Sequence, residues 1–147
     1  MNLDKICIHE AGHFFVAFSM GAIITKVEIL ESESIGYVSH DPLLIDDENE
    51  KILAEAKIRI AGRRCEQVIF GNIDNFSADD QFHFKLKVST LKKNTGREYK
   101  DIYSDIEKEI DKLLLDNKST ISFIANHFKE KKSLDIKEIN ALIKSIA

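Results

Sequence analysis

Within "ICIHEAGHFFVAF", residues 6 to 18, two histidines stand four apart and a glutamate follows the first. Residues four apart on a helix share a face, one turn from each other. His9 and His13 would therefore hold their imidazoles side by side, able to grip one metal ion. Zinc takes imidazole nitrogens at about 2.0–2.1 Å, and a catalytic zinc keeps one position for water. Glu10 would reach that water without ligating the metal. Zinc lowers the pKa of its water towards about 7, so Glu10 is suited to take the proton as general base. The attack would fall on a carbonyl polarised by the same ion. Ala11 and Gly12 leave open space between the ligands. A glycine inside a helix costs about 1 kcal/mol relative to Ala, and close approach of another backbone or helix would account for it. Two ordinary helical histidines would be written with the same letters. Burying two imidazoles and a carboxylate without partners costs several kcal/mol, however. A metal removes that cost, and a hydrogen-bonded core network is the alternative.

Catalytic zinc needs a third protein ligand. The remaining histidines are His40, His83 and His127, and none completes the spacing HExxHxxGxxH. The acidic pair Asp79-Asp80 is another candidate. An acidic pair in a first helical turn also serves simply to complement the helix dipole.

The elements that must position these groups follow from patterning. Residues 3 to 20 read as a helix, with Leu3, Ile6 and Cys7 leading into the histidines and Gly21 as C-cap. "TKVEIL" (25–30) and "IGYVS" (35–39) read as strands of a hairpin. Asp41-Pro42 breaks the pattern, and "DDENE" (46–50) suits a helix start. A helical pattern runs from Lys51 to Phe70 through Ile52, Ala56, Ile60, Val68 and Ile69, and Gly71 ends it. "NIDNFSADD" is a loop, with Ser77 as N-cap of a helix from 78 to 94 that closes at "NTG". Three apolar stripes follow. The first is Ile102, Ile106, Ile110 and Leu113. The second is Ile121, Ile124 and Phe128, capped by Ser119 or Thr120. The third is Leu134, Ile136, Ile139, Leu142 and Ile143. The expected fold is mainly α (α+β): one domain over 1–147 with a small N-terminal β-hairpin or sheet. Residues 1–96 would form the catalytic part and 97–147 the C-terminal helices.

Composition narrows the function classes. The chain has 147 residues, enough for a real core in one domain. A net charge of -4 gives no reason to expect nucleic acid, and "KEKK" (129–132) suits a solvated helix end. The two cysteines, Cys7 and Cys65, sit among apolar neighbours, as reduced buried thiols of a cytoplasmic protein do. The apolar run from Phe14 to Ile24 has 11 residues, too short to span a bilayer. Asp4, His9, Glu10 and His13 precede it, where a signal peptide would be basic. There is no GxxxxGK[ST], hence no P-loop.

"KICIHEAGHFFVAF" resembles the helix that opens the peptidase domain of FtsH, the membrane-bound AAA protease, and its mitochondrial relatives, where the pattern is KxAxHEAGHAxV. "TKVEIL…IGYVSHDP" is similar to that family's KVSI…LGY hairpin. "IRIAGRRCEQVIFGNIDNFSADDQ" resembles the stretch in which an AGRxAEExxFG helix leads through a short loop to GAxxDL. "IEKEIDKLLLDNKSTISFIANHFKEKKSLDIKEINALI" is similar to the family's closing helices. The resemblance covers nearly the whole chain. It implies His9 and His13 as zinc ligands and Glu10 as catalytic base. It implies Asp80 as third ligand, nine residues after Gly71; a register slip of one would put Asp79 there. Glu66 matches the first Glu of AGRxAEE, and is a partner for a ligand imidazole, an alternative ligand, or a plain surface or helix-pairing glutamate. The departures are Phe76-Ser77 for the family's Gly-Ala, Gln81 for its Leu and Gln67 for its second Glu. Phe76 would narrow the cleft or change what binds.

The resemblance implies a Zn2+-dependent metalloendopeptidase. The family's ATPase ring and membrane helices have no counterpart in this sequence. Such a chain would cut unfolded, flexible or short polypeptides, or act with an ATPase or adaptor in trans, and the family's hexameric state is not implied. A substrate strand would add to the hairpin edge at Ile35, Gly36, Tyr37 and Val38, unless that hairpin is purely structural. His40 would stabilise the oxyanion or be an exposed loop histidine. A non-proteolytic binding or regulatory module that keeps the FtsH peptidase fold is the alternative, against which the intact Glu10 argues. A zinc hydrolase acting on something other than a peptide is a third reading.

Overall fold

The computed structural model describes residues 2–73 and 78–147, which form six helices and three short strands. Helix α1 (Leu3–Ser19) starts at Asn2, whose side chain accepts the Lys5 N–H at 2.9 Å. Every residue from Lys5 to Ala17 is buried. A helix that is apolar almost all round needs neighbours on every side. Here α2 (Glu48–Phe70), α5 (Lys118–Glu130) and the sheet supply them. Gly21, just past the C-cap Met20, takes φ 79° and turns the chain into the first strand.

Strands β1 (Ile24–Leu30) and β2 (Ile35–His40) pair antiparallel, with Val27 opposite Val38 and Glu28 opposite Tyr37. A short 3-10 turn, Glu31–Glu33, joins them, followed by Ser34 at φ 56°. The sheet has a third member. Strand β3 (Ser133–Leu134) lies on the other side of β1, Leu134 opposite Val27, so that the order is β2-β1-β3 and β2 is an edge.

Helix α2 begins at Asp47, whose carboxylate accepts the Glu50 N–H, and ends at Gly71. Helix α3 (Ala78–Thr95) and α4 (Tyr99–Asp116) pack along it. Arg64 of α2 donates two hydrogen bonds to Asp111 of α4, both 2.8 Å. Helix α6 (Ile136–Ile146) closes the fold, opened by a capping box between Asp135 and Glu138. One apolar core joins Ile6 and Phe14 of α1 to Ala61 of α2, Val88 of α3, Ile110 of α4, Phe128 of α5 and Leu142 of α6.

The mainly helical fold with a small antiparallel sheet agrees with expectation. Several details do not. Leu114, rather than Leu113, completes the buried stripe of α4. Neither Ser119 nor Thr120 caps α5: α4 ends at Asp116, and Asn117 alone separates the two helices. Leu134 belongs to β3 rather than to the last helix, and Ile136, just after the cap Asp135, is 55% exposed. Phe76 and the expected cap Ser77 lie outside the described residues. Among the described residues, no helix is long and apolar enough to cross a membrane.

Candidate metal centre

The centre is built where α1 crosses α2. The two helices run antiparallel there: His9 meets Glu66, and His13 meets Ile58. Close contact is possible because glycine stands at the crossing on both sides. A Cβ at Gly12 would lie 2.6 Å from Cys65 Cβ and 2.8 Å from the Ala61 carbonyl oxygen. The backbone approach expected at Gly12 is thus present. A Cβ at Gly62 would lie 2.5 Å from the Nε2 of both His9 and His13. Gly62 therefore leaves a small space beside both nitrogens.

The imidazoles are 2% and 8% exposed, with ring centroids 4.8 Å apart at 72°. His9 Nδ1–H donates to Glu66 Oε2 at 2.7 Å, and His13 Nδ1–H donates to the Ile58 carbonyl at 2.7 Å. Carboxylate and carbonyl oxygens accept, so in the neutral imidazoles both protons belong on Nδ1 and both Nε2 atoms turn lone pairs inward. Those two Nε2 atoms are 3.1 Å apart. Asp80, in the first turn of α3, completes the group: its Oδ2 is 3.1 Å from His13 Nε2 and 3.8 Å from His9 Nε2.

Two lone pairs and a carboxylate oxygen converging at one point repel one another unless a proton or a metal ion sits among them. A tetrahedral zinc with bonds of about 2.0–2.1 Å would separate its ligand atoms by roughly 3.3 Å. The three observed separations bracket that value. Donor types, spacing and the acceptors behind both imidazoles all fit a zinc ion, and support from behind is what metal-bound histidines usually have.

Charges in the centre are strongly coupled. Burial disfavours protonation of His9, but the hydrogen bonds its ring donates to Asp80 and Glu66 outweigh it and raise its pKa to about 9. Burial likewise opposes ionisation of Asp80. Hydrogen bonds from His13, His9 and Arg59 overcome it and hold the carboxyl well below its usual range. Glu10 is buried too, and burial pushes its pKa up, against the pull of His13 and His9. A Cβ at Gly36 would come within 2.6 Å of Glu10 Cγ, so glycine is what lets β2 pass over this glutamate.

A cleft of about 690 Å³ opens onto the group. His9, Glu10, His13 and Asp80 form one wall, and β2 from Ile35 to His40 forms another. The expected substrate strand (Ile35, Gly36, Tyr37 and Val38) thus borders the cleft, with Tyr37 half exposed. His40 lies on the cleft too, with its Nδ1–H donating to the Asp41 carbonyl at 2.7 Å. Asp79 is outside the donor group; its side chain is 76% exposed and faces Arg59 and His83. His127 lines a separate groove between α5 and α6.

Three contributors were missed in the sequence: the Ile58 carbonyl, Gly62 as a spacer, and Arg59, whose Nη1 donates to Asp80 Oδ1 at 3.1 Å. A signal for two of them was available. Positions 58, 62 and 66 share the four-residue spacing of 9 and 13, so one stripe of α2 faces the histidine stripe of α1.

The chain matches no family model and no curated protein.

Proposed function

We propose that this chain is a zinc-dependent metalloendopeptidase of the FtsH peptidase kind, hydrolysing peptide bonds of unfolded or flexible polypeptides. The observation that carries the reading is the convergence of His9, His13 and Asp80 beside Glu10, in a cleft bordered by a sheet edge. The HEAGH, AGR and FG residues support it at the level of sequence. Zinc held by His9, His13 and Asp80 would supply Lewis-acid polarisation of the scissile carbonyl and an acidified water.

The chain's own residues do the rest. The outer edge of β2 offers backbone N–H and C=O groups, so an extended polypeptide docks as a further strand with its carbonyls along the cleft. This favours unfolded substrates, because a folded chain has no free strand to lend. Glu10 accepts the proton of the attacking water and then hands it to the leaving amine. Its raised pKa makes it a stronger base than a solvated glutamate. The buried walls around His9 and Glu10 exclude bulk water, which strengthens electrostatic stabilisation as charge develops. Two free, buried thiols, Cys7 and Cys65, suit a reducing, cytoplasmic setting. An ATPase or adaptor acting in trans would widen the substrate range to folded proteins.

The test is cleavage of casein by the purified, zinc-loaded chain beside Glu10→Gln. Removing the base should lower turnover by about 10²–10⁴-fold while zinc stays bound. Zinc bound at one per chain with no cleavage of casein or short peptides would instead favour a binding module.

A further inference from the structure

We propose that Arg59 is a positioning residue for the third metal donor, fixing which oxygen Asp80 turns towards the imidazole pair. The inference rests on the reading that His9, His13 and Asp80 hold a metal. Asp80 stands on the cleft wall with its side chain 24% exposed. An aspartate carboxylate rotates broadly about its last torsion. Among the described residues, the two oxygens of Asp80 face different ways: Oδ1 accepts from Arg59 Nη1 at 3.1 Å, and Oδ2 faces both Nε2 atoms. A guanidinium holding Oδ1 removes the rotation that would carry Oδ2 away.

Arg59 is placed for this by α2. It follows Ile58, whose carbonyl fixes His13, so one turn of α2 orients an imidazole through its main chain and the carboxylate through a side chain. Asp79 Oδ2 lies 3.5 Å from the same Nη1, and His83 Nε2 lies 3.4 Å from Asp79 Oδ1. Both contacts are solvent-exposed and add little to the hold of Arg59 on Asp80. Arg59 carries the same sign of charge as a metal, which by itself would weaken binding. For Arg59 to strengthen binding, alignment of Asp80 must outweigh that repulsion.

The test is titration of the metal-free chain with Zn2+ against a chromophoric chelator, with Co2+ absorption reporting geometry. Arg59→Gln should weaken Zn2+ binding by about 10–100-fold, the range for losing a partner of a ligand. Arg59→Lys keeps the charge and one donor and should fall between. In an Asp80→Asn background, Arg59→Gln should cost little more, because it acts through Asp80. Glu55→Gln removes the Lys87–Glu55 ion pair between the same two helices and should bind Zn2+ like the wild type.

Arg59→Gln within twofold of the wild type, while His9→Ala binds far more weakly, would overturn the proposal and leave the metal reading standing. So would an equal loss in the Asp80→Asn background. Should Arg59→Gln fail to fold, wild-type affinity and an unchanged Co2+ spectrum in Arg59→Lys would overturn it. A wild-type chain that binds no Zn2+ overturns both.

Discussion

His9 and His13 stand in the middle of a helix buried from Lys5 to Ala17, whereas Asp80 stands in the first turn of a helix at a cleft wall. The imidazoles are fixed by a buried carboxylate and a main-chain carbonyl. The aspartate is fixed by an arginine whose side chain is 37% exposed. The first pair of donors is therefore assembled by folding itself. The third depends on a contact that solvent can compete for. Stability and metal affinity should consequently be linked at α1 and separable at α3.

The largest effect is expected from His9→Ala. Losing one zinc ligand should weaken binding by on the order of 10³-fold, and it also takes a hydrogen-bond donor from the fully buried Glu66. The metal-free variant should lose about 1–3 kcal/mol of stability for that second reason. Asp80→Asn should lose comparable affinity while the metal-free chain loses less stability than in His9→Ala, because Asp80 stands at a cleft wall rather than in the core. Calorimetric Zn2+ titration and thermal melts of both variants decide this. Equal destabilisation by the two would erase the contrast.

Proton competition should come next. In the metal-free chain His9 has its pKa raised from 6.5 to about 9. The stability this gives is fully present below 6.5 and is lost as pH rises through about 9. Zinc must displace that proton, so affinity should climb over the same window, by up to about tenfold per pH unit. The rise in melting temperature on adding Zn2+ should therefore grow from pH 6.5 to 8.5. A flat profile would mean that His9 holds no such proton.

Local spacing made the α1 half legible. His9, Glu10 and His13 are declared within one turn, and the glycine between them announced a close neighbour. The α2 half was harder: the four-residue spacing of 58, 62 and 66 in "IRIAGRRCEQ" marks one stripe of a helix, but only pairing the two helices shows that this stripe faces those histidines. Choosing between Asp79 and Asp80 is a matter of which side of a helix start faces inward, and adjacent carboxylates look alike in a sequence. Strand β3 was hidden for another reason: Leu134 pairs with Val27 from the far end of the chain. An apolar residue just before a helix reads equally well as helix or strand.

Gly62→Ala probes the space between the helices. Its Cβ would meet both Nε2 atoms at 2.5 Å, so the imidazoles or α2 must shift. Over-packing of this kind costs about 1–3 kcal/mol, and here it should appear as weaker Zn2+ binding as well as a lower melting temperature. Full Zn2+ affinity in a folded Gly62→Ala chain would show that the space beside the two nitrogens is not needed for metal.

The smallest effect should come from Asp79→Asn, and its smallness is informative. Asp79 is the neighbour that a one-residue slip would have made the ligand. Its side chain is 76% exposed and is paired with Arg59 and His83 at 3.5 and 3.4 Å. Exposed ion pairs contribute about 0–1 kcal/mol. Losing this one leaves Arg59 on Asp80, so Zn2+ affinity should stay within about twofold of the wild type. A tenfold loss would mean that Asp79 reaches the metal or that Arg59 cannot hold Asp80 without it. Titrating Asp79→Asn together with Arg59→Gln separates those two. A direct ligand would still show its loss after the arginine is gone, whereas a brace for the arginine would have nothing left to brace.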